Sequence, residues 1–269
     1  MAFHTNFRFK PYKDEHGNLR PHPPAERIYG PISHIGPLTV CVYLVETSAG
    51  LVVVDSGYDT DVPLLAENIR GLGRDPRDIR LILLAHWHWD HAGGAAGLQQ
   101  LSGAAVMIHE KDAEIVESGQ YRGKPIVPAV RIAKRLVDGD VIALGGVDFK
   151  TIHCPGQSAG EVVFAATVDG LDGPCRALFA SDATGFKHDV ETLDFLGYPG
   201  VCADYRRTVE ILRELEFDLY LGGHAHQVLN EARADGNPFI TRDEWLKLVN
   251  GRHQAMEDFV REHPRYLDW

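Results

Sequence analysis

The sequence predicts an α/β protein in which two β-sheets pack face to face with helices on their outer sides. A run of mostly paired strands with one or two helices occurs twice, over roughly 37–118 and 141–217, and this order suits two sheets covered by helices. The apolar run 81–85 is typical of a buried strand, and a dense set of metal-binding side chains follows it in residues 86–91. The length of 269 residues allows one large domain of this kind or two small ones.

The chain shows no convincing internal repeat and no linker. We therefore predict a single domain over residues 27–269. Residues 1–26 are polar and rich in proline, which predicts an N-terminal arm that packs over the domain or is partly mobile. The sequence leaves the oligomeric state open.

Composition argues against several classes of partner. A formal net charge of −11 disfavours a general nucleic-acid or anionic-membrane surface, because both need clustered Lys and Arg. No apolar run approaches the roughly 18 residues of a membrane span, and the first ten residues lack a secretory signal. These features predict a cytoplasmic protein. Its four cysteines are scattered, which favours reduced thiols.

Hydrophobic spacing predicts the elements of the first half in order. Residues 39–45 and 51–54 predict a hairpin, and residues 62–72 predict a helix that ends in a glycine-containing turn. After the strand over 81–85, the next predicted elements are a helix near 94–101, a strand over 104–108, a short helix near 112–117 and an irregular stretch over 119–140.

The second half predicts a similar order of strands and helices. Residues 141–144 and 147–152 predict a strand pair around two glycines. The remaining predicted elements are strands over 161–167 and 177–180, a helix over 203–215, a short strand over 219–221 and a last helix over 243–262.

The segment His86-Trp-His-Trp-Asp-His91 contains three imidazoles and a carboxylate, the side-chain types that bind metal ions. Zinc binds neutral imidazole and carboxylate groups, and a catalytic zinc keeps one position open. Four ligands from one six-residue turn cannot all reach one tetrahedral ion. The spacing instead suits two adjacent metals, with His86 and His88 on one and Asp90 and His91 on the other. A structural or solvent-facing role for these side chains is the alternative, and their density argues against it.

Further ligands must come from other strand ends, where α/β proteins place their sites. Candidate segments are 153–157, Ser181–Asp182 and 222–226, which contains His224. His153 and His226 are interpreted as structural or solvent-facing. Trp87 and Trp89 are expected to pack around the turn rather than to contact a substrate.

At this point the sequence resembles the metallo-β-lactamase superfamily, whose signature is His-x-His-x-Asp-His. Residues 86–91 match each fixed position, and the Val54-Asp-Ser-Gly57 turn also fits. The resemblance covers about 27–262 and is nearest the third (B-3) subclass, because of the segments 27–30, 203–207 and 237–239. It implies an αββα four-layer sandwich.

The resemblance also implies a ligand set. His86 and His88 would bind the first metal, and Asp90, His91 and His224 the second. Asp182 falls where many superfamily hydrolases have a carboxylate that bridges both metals. The implied cofactor is one or two zinc ions, with Mn²⁺ or Fe²⁺ as alternatives.

One position departs from the family. The usual Thr-Pro-Gly-His-Thr reads Cys154-Pro-Gly-Gln-Ser158 here, so Gln157 stands in the place of a histidine ligand. An amide oxygen is a weaker ligand than imidazole, which predicts weaker binding at the first position. Gln157 is either a ligand or a hydrogen-bond partner of bound water.

The leading functional hypothesis is a metal-dependent hydrolase of a small molecule. Metal-bound hydroxide, oriented by Asp90, would open a lactam, a lactone or a related activated carbonyl. The alternatives are a glyoxalase II-like thioesterase, which would use the same ligands, and a metal-impaired homologue that only binds its partner. The fold by itself does not decide among them.

Overall fold

The computed structural model describes residues 12–13, 19–20, 24–37, 39–170, 173–186, 189–224 and 241–267. The strands of the described residues, in chain order, are β1 (Tyr12–Lys13), β2 (Leu19–Arg20), β3 (Glu26–Tyr29), β4 (Ile32–His34), β5 (Tyr43–Thr47), β6 (Gly50–Val54), β7 (Ile79–Leu83), β8 (Ala105–His109), β9 (Gln120–Tyr121), β10 (Lys124–Pro125), β11 (Ile132–Leu136), β12 (Val141–Leu144), β13 (Val147–His153), β14 (Val162–Gly170), β15 (Gly173–Ser181) and β16 (Leu219–Gly222). The helices are α1 (Val62–Gly71), α2 (Trp89–Ala92), α3 (Ala95–Ser102), α4 (Glu110–Ser118), α5 (Val190–Leu196), α6 (Val201–Glu214) and α7 (Arg242–Glu262).

The first sheet has seven strands in the spatial order β11, β8, β7, β6, β5, β4 and β3. Strands β6, β7, β8 and β11 are parallel, whereas β3 to β6 form an antiparallel meander. The second sheet runs β12, β13, β14, β15 and β16, and only its last pair is parallel. The parallel pairs bear most directly on function, because polar side chains that follow neighbouring parallel strands lie together at one edge of the sheet.

Two hydrophobic cores give the sandwich its four layers. Alternate residues of β6 face opposite sides, as expected for a strand: Leu51 and Val53 pack under α1, α3 and α4, whereas Val52 and Val54 face the second sheet. Helices α6 and α7 cover the outer side of the second sheet with residues that include Val209, Leu212, Trp245 and Val249. The predicted αββα arrangement is therefore confirmed.

Both faces of β7 are covered, which explains its nearly continuous apolar sequence. Four of its five residues are buried, and Arg80 is exposed. The strand ends at Leu83, and the chain continues through a bend at Ala85 into the histidine segment. Among the described residues, no helix is both long and apolar enough to cross a membrane.

Two predicted elements were wrong. The stretch 119–140 is not irregular throughout, since β9 pairs with β10 and β11 adds a parallel edge strand beside β8. Strand β11 escapes detection because its three central residues are exposed, so it has no apolar alternation. The strand predicted over 39–45 begins only at Tyr43, because the backbone of Cys41 turns away to bind Gly223 at 2.7 Å.

Some predictions fall largely outside the described residues. Of the arm over 1–26, the structure describes β1, β2 and residues 24–26, and Glu26 is already the first residue of β3. The division into an arm and a single domain therefore stays a prediction. His226 and the segment 237–239 also lie outside the described part of the chain.

Candidate metal centre

The histidine segment forms a strand-to-helix turn at the end of β7. Residues 86–88 belong to no helix or strand, and α2 begins at Trp89. His86 and His88 therefore precede the helix, with ring centroids 4.6 Å apart, whereas Asp90 and His91 occupy the first helical turn. Gly94 is required where this turn closes, because a Cβ there would lie 2.2 Å from the carbonyl oxygen of Ser56.

Four side chains from three parts of the chain converge on one point. Nε2 of His91 lies 3.6 Å from Oδ2 of Asp90 and 3.5 Å from Oδ2 of Asp182. Nε2 of His224 lies 3.6 Å and 3.3 Å from the same two oxygens. Ligand atoms about 2.1 Å from a tetrahedral zinc are about 3.4 Å apart, so each of these four distances is of the size expected between two ligands of such an ion. The ligand atoms of Asp90, His91 and His224 all lie within 4.8 Å of one another, and Asp182 lies beside this group.

Hydrogen bonds hold both imidazoles with Nε2 toward that point. Nδ1 of His91 lies 2.9 Å from Oδ2 of Asp55, and Nδ1 of His224 lies 2.7 Å from the carbonyl oxygen of Thr39. Asp55 is itself held, since Oδ1 accepts the N–H of Ala85 at 2.8 Å. Partners on the far nitrogen fix the tautomer and orientation of metal-binding histidines.

The charges of this cluster suit a cation. Burial lowers the pKa of His91, but the carboxylates of Asp55, Asp182 and Asp90 outweigh it and hold that pKa well above 6.5. Burial raises the pKa of Asp182, but hydrogen bonds and charge from His224 and His91 hold it well below its usual value. The carboxylates thus attract protons onto the imidazoles, and a divalent metal can take the place of those protons.

The residues predicted for the first metal lie beside this cluster. His86 belongs with His91 and Asp182 to a second group whose ligand atoms all lie within 4.8 Å of one another. His88 is buried next to His86 but joins neither group of His, Cys, Asp and Glu among the described residues. Gln157 is buried, and its Nε2 donates to Oδ2 of Asp182 at 3.1 Å.

The amide oxygen of Gln157 does not point at a hydrogen-bond donor. Oε1 is buried and has no hydrogen-bond partner in the described part of the chain. Rotation of the amide by half a turn would exchange its oxygen and nitrogen, and the oxygen would then take the place of Nε2 beside Asp182. Ligation by Gln157 stays a prediction.

Sequence reasoning missed three buried carboxylates that support the site. Asp55 follows β6 directly, and a polar residue at the end of a parallel strand was a usable signal. Asp112 accepts hydrogen bonds from Ser158 at 2.6 Å and from the backbone of Gly160 at 2.9 Å, and burial raises its pKa to about 7. Burial likewise raises the pKa of Glu161 well above its usual value, and the charge of Asp182 adds to this. Nothing in the sequence pattern marked the last two.

A cavity of about 320 Å³ is lined in part by Trp89 and Gly93, which flank Asp90 and His91 in the chain. Trp89 forms part of its wall and is 40% exposed, with its ring centroid 5.8 Å from that of His88, whereas Trp87 is 2% exposed. The cavity is lined by Tyr58, Asp59, Trp89, Gly93, Pro125, Ile126, Val127 and Pro128.

Comparisons with known proteins agree with this architecture. The crystal structure of BJP-1, a subclass B3 metallo-beta-lactamase of Bradyrhizobium japonicum, superposes with a TM-score of 0.80 at 26% identity and covers 91% of this chain and 97% of its own. LRA-12, a class B3 di-zinc metallo-beta-lactamase from an Alaskan soil metagenome, also gives 0.80, at 24% identity over 88% and 94% of the two chains; this likeness concerns the fold. An acyl-coenzyme A thioesterase of Gallus gallus, MBLAC2, is 27% identical over an alignment of 197 positions that covers 65% of this chain and 66% of that protein.

A family model described as the metallo-beta-lactamase superfamily matches residues 35–224. This range spans more than half of the chain and contains the whole histidine segment, Asp182 and His224. The chain therefore belongs to the metallo-beta-lactamase superfamily, and its structural neighbours include subclass B3 enzymes.

Proposed function

We propose that this protein is a metal-dependent hydrolase that opens an activated carbonyl compound, with a cyclic ester or amide as the substrate class. The observation that carries the proposal is the convergence of Asp90, His91 and His224, whose ligand atoms all lie within 4.8 Å of one another, with Asp182 at 3.5 Å and 3.3 Å from the two imidazoles. These residues would hold one metal. His86, His88 and Gln157 would hold the other, and Asp182 would contact both. Zinc suits this donor set, and Mn²⁺ or Fe²⁺ are alternatives.

The chemistry needs few groups besides the metals. Zinc held by such ligands lowers the pKa of water to about 7 and polarises a carbonyl group. The carboxylate of Asp90 is 16% exposed, against 6% for Asp182, so it is the acid that an incoming water can reach. It would accept a hydrogen bond from that water and orient it toward the carbonyl carbon. Asp90 is therefore the proposed catalytic residue.

The neighbouring cavity favours a neutral, apolar substituent on the substrate. Its lining includes the rings of Tyr58 and Trp89 and the apolar side chain of Ile126. Asp59 is the charged residue among the lining side chains, and they include no Lys or Arg. An anionic group would meet repulsion there, because like charges at close range disfavour binding. This argues for a lactone or a neutral amide with an apolar tail.

A substrate panel tests the proposal. Zinc-loaded protein is offered β-lactams, acyl-homoserine and aromatic lactones, amides and thioesters. We expect turnover of at least one cyclic ester or amide, abolished by a chelator and restored by added zinc. A protein that holds two equivalents of metal and turns over none of these classes would contradict the hydrolase proposal.

Thioester hydrolysis is the second candidate, because a relative is an acyl-coenzyme A thioesterase. The ratio of kcat/KM for an acyl thioester to that for the best lactone discriminates the two. A ratio above one would favour the thioesterase.

A metal-impaired binding homologue is the third candidate, and the presence of Gln157 in a ligand place is what favours it. Metal analysis separates it from the two enzymes. Well under one equivalent of Zn, Mn or Fe in purified protein, with no activity after metal is added, would favour the binding protein.

A further inference from the structure

Glu161 is a fully buried acid that the proposed chemistry does not use. It immediately precedes β14, and its side chain is 0% exposed. One carboxylate oxygen, Oε2, accepts the backbone N–H of Gln157 at 3.2 Å. The other, Oε1, has no hydrogen-bond partner in the part of the chain that the structure describes. Leaving a buried carboxylate oxygen unsatisfied costs free energy, so its retention calls for an explanation.

The second oxygen of Glu161 lies near the ring of His86. Oε1 of Glu161 lies 3.9 Å from Nδ1 of His86, and both side chains are completely buried. This distance is too long for a hydrogen bond, and an approach of about 1 Å would make one. Glu161 therefore contacts the backbone of one residue predicted for the first metal and faces the ring of another.

Glu161 is not placed as a ligand itself. The groups of His, Cys, Asp and Glu whose ligand atoms lie within 4.8 Å of one another are His86, His91 and Asp182, and Asp90, His91 and His224; among the described residues neither contains Glu161. Its carboxylate thus stands behind His86, as Asp55 stands behind His91. Such outer carboxylates orient the ring and increase the basicity of the metal-facing nitrogen.

We propose that Glu161 is the positioning residue of the first metal position, where its Oε1 accepts the Nδ1–H of His86 and leaves Nε2 of that ring for the ion. This inference rests on the proposed function. A more basic imidazole at His86 offsets the weak amide oxygen of Gln157. The same carboxylate also holds the backbone of Gln157, so it couples the two ligands.

The variant Glu161→Gln tests the role without removing volume. Its amide oxygen can still accept the N–H of Gln157, but its NH₂ group then meets the Nδ1–H of His86, donor against donor. Competition with a chromophoric chelator measures the two stepwise association constants for zinc, called the zinc constants below, of the full-length protein. We expect one constant to fall about 10- to 100-fold and the other to change less than twofold.

Two further variants separate positioning from damage to the fold. Glu161→Asp keeps the charge, and we expect it to recover part of the lost affinity. Asp61→Asn is the matched control, since Asp61 is also a buried carboxylate that accepts a backbone N–H, that of Tyr58 at 3.0 Å. We expect it to leave both constants unchanged.

A proton measurement on the wild-type chain keeps the inference testable even where a variant fails to fold. In zinc-loaded protein with ¹⁵N-labelled histidine, we expect a slowly exchanging proton on Nδ1 of His86. Absence of this proton, equal loss of both zinc constants in Glu161→Gln, no loss at all, or a wild-type chain that binds only one zinc would overturn the role of Glu161. Two normal zinc constants without hydrolysis of any substrate would instead contradict the proposed function alone.

Discussion

Nδ1 of His91 and Oδ2 of Asp55 lie 2.9 Å apart, although 36 positions separate the two residues in the chain. The contact exists because β6 and β7 are parallel neighbours whose carboxyl ends meet at one edge. The hydroxyl of Ser181, at the end of β15, also donates to this oxygen at 3.1 Å. Asp55 therefore joins the two sheets at the centre of the candidate site.

Replacing this carboxylate should weaken the second metal position. In Asp55→Asn, the amide oxygen can keep the bond from Ala85, and the NH₂ group then faces Nδ1 of His91. The ring would place its proton on Nε2 and could no longer bind metal there. We expect zinc affinity at one position to fall about 10- to 100-fold, as measured by chelator competition. Asp75→Asn, at an exposed carboxylate that pairs with Arg77, is the control, and an equal loss in that variant would contradict the argument.

Restoring a histidine should strengthen the first position. Gln157→His replaces an amide oxygen with imidazole, a better ligand for zinc. We expect the smaller of the two stepwise association constants for zinc to rise about tenfold or more. Gln157→Ala removes the hydrogen bond to Asp182 and serves as the comparison. If the histidine variant binds zinc no more tightly than wild type, residue 157 does not face the metal.

Removing the exposed indole should affect substrate binding rather than chemistry. Trp89→Ala takes away a wall of the 320 Å³ cavity. For a substrate with an apolar tail, we expect KM to rise about fivefold, because roughly 1 kcal/mol of apolar contact is lost, and kcat to stay within twofold. Val141→Ala, on an exposed strand residue outside the cavity lining, should change neither constant. A fall in kcat at constant KM would place the indole elsewhere in the reaction.

The metal-free protein should lose stability as the pH rises above neutrality. Burial lowers the pKa values of His91 and His224, but neighbouring carboxylates outweigh it and raise both above 6.5. The folded state then binds more protons than the unfolded state. The free energy of unfolding is therefore greatest below about pH 6.5 and falls as the pH rises through the folded pKa values, by up to about 1.4 kcal/mol per pH unit for each proton.

Urea unfolding of chelator-treated protein at pH 6.5, 7.5 and 8.5 measures this slope. The variant His91→Gln should flatten it, because one of the two titrating groups is gone. Zinc should reverse its sign, since metal binding displaces the same protons and strengthens as they leave. A metal-free wild type whose stability rises over this range would contradict the assignment.

The chain order of strands and helices was readable from local patterns. Residues 81–85 form an uninterrupted apolar run because β7 is buried on both faces, and a run of this kind can be recognised from the sequence alone. Strand β11 was missed for the opposite reason. Its three exposed central residues, Ala133 to Arg135, carry no alternation, and only pairing with β8 makes it a strand.

The sequence by itself determined the clustered ligand residues of the candidate metal centre, His86 to His91, because they are neighbours on one strand-to-helix turn. Tertiary structure decided the rest. The ends of β15 and β16 bring Asp182 and His224 within 3.3 Å of each other, and burial places Asp55 and Glu161 behind the rings of His91 and His86. A lone carboxylate far along the chain has no periodicity to reveal it. Its role arises only where packing removes it from water and leaves an imidazole as its neighbour.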